Sequence, residues 1–261
     1  GDTPFIKLLL FFLAIISTSL SGGYGCGLTL GGILSAHEMG HYLMCRRYKI
    51  PVTLPFFIPF PEYSPFGTLG ALIQIRGFFP HRRALFDIGI AGPLASFVLS
   101  VTAIFIGIRI AIDNPAPVFL KYELIFGKSL LFLLVENMAT VGTNINISVL
   151  DHPLIFAGWV GLFVTALNLL PIGQLDGGHI VYSIVGKKAR IIYMIMLGVF
   201  AIATLFYVGW VLFFVLLLLF GRKHPPPVDD ISKVTTSRKI LGLLIFVVLL
   251  FSFSPVPIEI P

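Results

Sequence analysis

Apolar runs separated by short basic clusters set the plan of this chain. Residues 5–20 are apolar, with Lys7 near one end, and a turn follows at Ser21-Gly22-Gly23-Tyr24-Gly25. A second run over residues 26–45 stops at Arg46-Arg47-Tyr48-Lys49. Positive residues beside a span mark the cytoplasmic side. Residues 50–80 stay apolar but hold Pro51, Pro55, Pro59, Pro61 and Pro65, which forbid a continuous helix. Both ends of that segment lie beside basic clusters, the second being His81-Arg82-Arg83. It therefore dips in and returns as a re-entrant loop or short β-hairpin, the alternative being an interfacial loop packed on headgroups.

A third run over residues 84–108 carries Asp87 one turn from the basic end, where Arg82 or Arg83 is its expected partner. The small residues from Gly89 to Ser96 allow close packing in lipid, and Pro93 bends the helix. Residues 112–150 form an outer segment whose apolar centre, 129–135, is too short to span. Asn137, Asn144 and Asn146 read there as solvated, and His152 as the entry to the next helix. A fourth run begins near Pro153 and ends before Lys187-Lys188-Ala189-Arg190. Residues 191–220 would make one helix of about 45 Å against a hydrocarbon core of about 30 Å. The alternative is two short spans broken near Tyr207-Val208-Gly209-Trp210. A rigid connector with Pro225-Pro226-Pro227 precedes a last short run at 239–253. The expected fold is all-α and polytopic, with six or seven transmembrane helices in one domain over residues 1–261.

Composition supports a bilayer environment. Of 261 residues, 57% are hydrophobic and 11% charged, where a soluble domain carries about 25% charged residues. The net charge of +6 sits at the flanks of apolar runs and forms no single patch, so no nucleic-acid partner is expected. Cys26 and Cys45 lie on one helix, roughly 28 Å apart, and cannot pair within it.

His37-Glu38-Met39-Gly40-His41 interrupts the second apolar run. Imidazoles four residues apart project from one helix face and can share one Zn²⁺, with Glu38 as general base for a metal-bound water. Ionisable groups inside a span are costly and point to function. A third protein ligand is required for a catalytic site. Asp87, Asp176 and His179 are the candidates in apolar surroundings. Asp176 is preferred, because Pro171 and Gly173 break the helix before it and charge topology brings it to the same cytoplasmic depth.

These motifs resemble the site-2 protease family of intramembrane zinc metalloproteases. The likeness is carried by His37-Glu38-Met39-Gly40-His41 and by Asn168-Leu169-Leu170-Pro171-Ile172-Gly173-Gln174-Leu175-Asp176-Gly177, in the family's order. Gly67-Thr68-Leu69-Gly70-Ala71, Phe86 to Pro93, and Gly221 to Pro227 are similar to its compact archaeal, cyanobacterial and chloroplast branch. No stretch here has the length or composition of the PDZ module that many relatives carry. The resemblance implies a catalytic core of three spans over about residues 26–180, with peripheral spans at about 5–20 and 190–253. It implies one zinc held by His37, His41 and Asp176, with Glu38 as catalytic base and Asn168 contacting substrate or transition state.

The expected function is hydrolysis of peptide bonds in or near transmembrane segments of membrane-anchored substrates, in regulated intramembrane proteolysis. A substrate helix must unwind before cleavage, and Thr68 to Arg76 contains β-favouring residues that would offer it a strand edge, with substrate pairing expected within residues 66–78. The expected partners are transmembrane protein substrates and the lipid bilayer; oligomeric state is left open. The expected location is a prokaryotic plasma membrane or an organellar one, with the site nearer the cytoplasmic or stromal side. Two other readings fit the same residues: a metal-ion transporter, and a zinc-bound pseudoprotease that binds membrane proteins without cutting them.

Overall fold

The computed structural model describes residues 4–59, 68–114, 116–118, 124–143, 145–220 and 226–259. The expectations for Pro61, Pro65, Phe66, Gly67, Asn144 and Gly221 to Pro225 fall outside these residues. Helix α1 (Pro4–Gly22) is separated from α2 (Tyr24–Arg47) by the single residue Gly23. Gly23 has φ of 84°, a conformation that glycine adopts without a Cβ penalty. The Pro-rich stretch then forms an antiparallel hairpin of β1 (Phe56–Pro59) and β2 (Thr68–Leu72), with Phe56 opposite Leu72 and Phe57 opposite Ala71. The pairing is extended by Thr53 N–H to Gln74 O at 3.0 Å and Arg76 N–H to Pro51 O at 2.8 Å.

Helix α3 (Arg82–Asp113) runs unbroken through Pro93. Its N-cap is His81, whose Nδ1 accepts from Ala84 N–H. Beyond it come β3 (Ile125–Phe126), α4 (Leu130–Ala139) and α5 (Pro153–Asn168), the last entered at the His152 cap. After α5 the chain turns through Leu169 to Leu175, as Pro171 and Gly173 predict, and α6 (Asp176–Val185) begins. Helices α7 (Ala189–Phe206) and α8 (Trp210–Phe220) follow, then α9 (Thr236–Ser252) and β4 (Ile258–Glu259), which pairs with β3.

Helices α2, α3 and α5 pack around one another and hold most of the fully buried side chains, including Leu30, Ile104, Ile155 and Phe156. Small residues set the spacing. A Cβ at Gly40 would lie 2.5 Å from Ala91 O, so α2 and α3 meet backbone to backbone there.

The span count expected from hydropathy is corrected. Among the described residues, two helical stretches are long and apolar enough to cross a membrane, Arg82–Asp113 and Asp176–Phe206, and not six or seven. The apolar helices Phe5–Leu20, Leu130–Ala139 and Pro153–Asn168 are shorter. At 1.5 Å per residue a 16-residue helix such as α5 reaches only about 24 Å, short of a core of about 30 Å. Helix α2 has 24 residues, but its glycines, histidines and Glu38 dilute its hydropathy. The run 191–220 is divided at Tyr207 into α7 and α8. Hydropathy registers apolar stretches; it does not register how many turns each completes before a proline, glycine or polar cluster ends it.

The expected partner of Asp87 is also corrected. Asp87 receives Arg238 from α9, with Nε to Oδ1 at 2.7 Å and Nη2 to Oδ2 at 2.8 Å. Tyr48 Oη also donates to Oδ2, at 2.5 Å. Burial and the adjacent carboxylate push the Tyr48 phenol above its ordinary range. Arg82 turns instead to Asp230, 2.9 Å away, which also accepts from Tyr182 Oη. Sequence proximity favoured Arg82 and Arg83; in the fold Arg82 is taken by Asp230, and Arg238 from α9 gives Asp87 a two-pronged partner. Arg238→Ala should therefore lower stability by about 1–2 kcal/mol and expose residues 226–236 to protease. Arg83→Ala should do neither. Thermal unfolding in detergent with limited proteolysis measures both.

Candidate metal centre

Helix periodicity puts His37 and His41 on one face of α2, and both are buried. Asp176 opens α6, reached through the turn that Pro171 and Gly173 impose. Side chains at Gly177 and Gly178 would overlap the carbonyls of Leu169 and Gly173, so the Asp-Gly-Gly sequence lets the first turn of α6 press against that turn. The result is a tight triangle. His37 Nε2 and His41 Nε2 are 3.1 Å apart, and Asp176 Oδ2 is 3.2 Å from the first and 3.3 Å from the second.

The protons at this triangle are set by what lies behind it. His41 Nδ1 is 2.7 Å from Ile88 O. A carbonyl only accepts, so Nδ1 carries the hydrogen, and in the neutral ring Nε2 presents a lone pair to the triangle. His37 Nδ1 lies 3.0 Å from Ser96 Oγ. Two imidazole lone pairs and a carboxylate oxygen at these distances repel one another unless a cation lies between them. A tetrahedral ion with ligand bonds of about 2.0 Å needs donor atoms about 3.3 Å apart, and the observed edges of 3.1–3.3 Å fit one face of such a tetrahedron. Two nitrogens and one oxygen are a donor set suited to Zn²⁺, with a fourth position left for water or substrate.

Of the three candidates for a third ligand, the fold brings only Asp176 to the histidine pair. Asp87 is engaged with Arg238 and Tyr48. His179 lies one turn along α6 with its ring 5.6 Å from that of Phe79. Glu38 is 8% exposed, and its carboxylate accepts a hydrogen bond from the backbone N–H of Ile73, just beyond β2. Asn168 closes α5 with Nδ2 3.4 Å from His37 Nε2, at the rim of the triangle. Sequence reasoning missed the groups behind the histidines, Ser96 and the Ile88 carbonyl. Ser96 looked like a packing residue among small neighbours, and a backbone carbonyl has no signature in sequence.

Gly92 also belongs to the site. A Cβ there would overlap Nε2, Cδ2 and Cε1 of His41, so glycine alone leaves room for the ring. Gly92→Ala should displace His41 and weaken zinc binding by at least about tenfold, the scale on which misoriented ligands act. Competition with a chromophoric chelator measures the loss.

Comparison with known proteins bears on the same stretch of chain. Residues 26–216 match peptidase family M50. The chain is 33% identical over 98% of its length to the probable zinc metalloprotease EGY1, chloroplastic, of Arabidopsis thaliana, covering 46% of that protein. It is 33% identical over 99% of its length to the protein of the same description from Oryza sativa subsp. japonica, covering 43% of it. With the probable zinc metalloprotease EGY2, chloroplastic, of Arabidopsis thaliana it shares 29% identity over 94% of its length and 43% of the relative. The chain thus spans less than half the length of these relatives.

Proposed function

This chain belongs to peptidase family M50, and we propose that it is a zinc metalloendopeptidase acting on peptide bonds in or near the membrane segments of anchored proteins. The single observation that carries this reading is the triangle of His37, His41 and Asp176, with Asn168 at its rim and the buried Glu38 carboxylate close enough to interact with His41 and Asp176. Zinc, when bound, would acidify water at its open position and polarise the scissile carbonyl. The Glu38 carboxylate is the group placed to take a proton from the attacking water and return it to the departing amine, which would keep the proton balance closed. Asn168 donates from Nδ2 to the oxygen on which charge develops. His37, His41 and Asp176 would hold the ion, and the two buried imidazoles limit the access of bulk water to it.

The site lies toward the basic ends of its helices, near Arg46 and Arg47 of α2 and Arg82 and Arg83 of α3. On the positive-inside rule that end faces the cytoplasm or stroma. Regulated release of a membrane-tethered protein is the biological setting that suits such an activity. A transporter would hold zinc with the same three ligands but has no use for a buried carboxylate poised as a base. A silent zinc-bound protein has none either.

Access for the substrate backbone follows from the hairpin. Strand β2 pairs with β1 along one edge and has no strand partner on the other among the described residues. Leu72 is half exposed, and the next residue, Ile73, hydrogen-bonds Glu38. An unwound substrate segment that adds to β2 would therefore run past the base.

The test of the chemistry is cleavage of a labelled single-span peptide by purified protein. Glu38→Gln should lose at least about 10²-fold in rate while retaining its zinc. Equal product from both proteins excludes the mechanism, and zinc flux into sealed vesicles without cleavage would favour transport. The access route is tested separately, with photocrosslinkers along residues 68–78. Capture of substrate at Leu72 is expected; productive cleavage with no crosslink anywhere in that stretch overturns it.

A further inference from the structure

We propose that Ser96 and Thr165 are positioning residues that fix His37 as a metal ligand through a one-way chain of hydrogen bonds across three helices. The inference rests on the metal-centre reading above. His41 is oriented by a main-chain carbonyl, a partner that cannot change its role. His37 has no such partner. Behind it stands Ser96 Oγ on α3, 3.0 Å from Nδ1, and a hydroxyl can donate or accept. Taken alone, Ser96 leaves both tautomers of His37 open, and one of them would place a hydrogen on Nε2 where a lone pair is needed.

The next contacts remove that freedom. Ser96 Oγ is 2.8 Å from Thr165 Oγ1 on α5, and Thr165 Oγ1 is 2.7 Å from Gly161 O. All three hydroxyl and imidazole groups are buried, with Ser96 2% and Thr165 1% exposed, so solvent offers no substitute hydrogen. Gly161 O can only accept, so Thr165 donates to it. Thr165 then has no hydrogen left for Ser96, and Ser96 must donate to Thr165. Ser96 in turn has none left for His37, and His37 Nδ1–H donates to Ser96. Ser96 Oγ also lies 3.2 Å from Gly92 O and from Pro93 O. Spending its hydrogen there would leave the 2.8 Å contact with Thr165 as two bare oxygens, the less favourable arrangement. The Gly161 carbonyl therefore sets the His37 tautomer from three bonds away, and the Nε2 lone pair is left facing His41 and Asp176. Groups that orient a ligating histidine in this way commonly change metal affinity 10–100-fold when removed.

Thr165 allows a test that separates this role from packing. Thr165→Val keeps the volume and removes the hydroxyl; Thr165→Ser keeps the hydroxyl and removes volume. Zinc affinity is measured on purified protein in detergent by chelator competition, with the visible spectrum of the Co²⁺-loaded protein as a second readout. The expected result is a weakening of about tenfold or more and a shifted Co²⁺ spectrum for Thr165→Val. Thr165→Ser should remain close to the parent on both measures. Ser96→Ala should match Thr165→Val, and combining the two should add little, since both break one chain. Thr165→Ser falling further than Thr165→Val, or all variants binding like the parent, overturns the proposal. If the parent itself holds no zinc, the metal-centre reading falls and the relay falls with it. Zinc in the parent with no dependence on the hydroxyls sinks the relay alone.

Discussion

Three electron-pair donors forced together in a buried space repel one another until a cation lies among them, and this protein is built around such a triplet. His37 Nε2, His41 Nε2 and Asp176 Oδ2 stand 3.1–3.3 Å apart. No one element supplies them. Helix α2 brings both imidazoles, α6 brings the carboxylate at its first residue, and α3 and α5 stand behind the rings. Holding donors at this spacing without their counter-charge costs free energy, which the packing of α2, α3 and α5 must offset. The repulsion and the close packing are two sides of one arrangement. Loosen the helices and the triangle relaxes apart; fill it with an ion and the helices are drawn together, because ligands on separate elements share one centre.

That requirement explains where the chain uses its smallest residues. Gly40 and Ala91 let α2 and α3 touch at the level of the site, and Gly92 makes room for the His41 ring. Gly177 and Gly178 let the start of α6 press onto the turn after α5. At each of these glycines a methyl group would meet a backbone carbonyl or an imidazole. In a bilayer, small residues of this kind favour helix association in general. Here they sit at the level where donor atoms must converge, and their placement follows the site more closely than the length of any helix.

Much of this was legible from the residues. The His37/His41 spacing follows from the helical period, and the Pro171 and Gly173 break correctly marked the turn that frees Asp176. The Pro-rich stretch does hold an antiparallel pair. What stayed hidden is of two kinds. The number of membrane-crossing helices was overestimated because hydropathy does not register that α5 is too short, that α2 is diluted by its own chemistry, and that residues 191–220 divide at Tyr207. The groups behind the histidines were hidden because their identity lies in a carbonyl (Ile88) and in hydroxyls (Ser96, Thr165) whose residue types are ordinary in apolar helices. Asp87 shows the same limit. Its partner Arg238 lies far along the sequence on α9, and only the fold brings the two together.

The support behind the ligands also bears on what the ion is for. A carrier must let its cargo go, so its ligands need an alternative state in which they part or turn away. In this chain each ligand is backed by something that does not turn. His41 is tied to a main-chain carbonyl inside α3, and His37 to a hydroxyl chain that ends at another carbonyl inside α5. Asp176 is set at the first residue of a helix wedged by two glycines. Rotating either imidazole away would strand a buried N–H or hydroxyl without a partner, a cost of about 1–3 kcal/mol for each group. The arrangement suits an ion that stays while substrates come and go. A site suited to a resident ion, beside a buried carboxylate and a hairpin edge with no strand partner among the described residues, is the equipment of a hydrolase, and it is the reason the proteolytic reading outweighs the transporter reading.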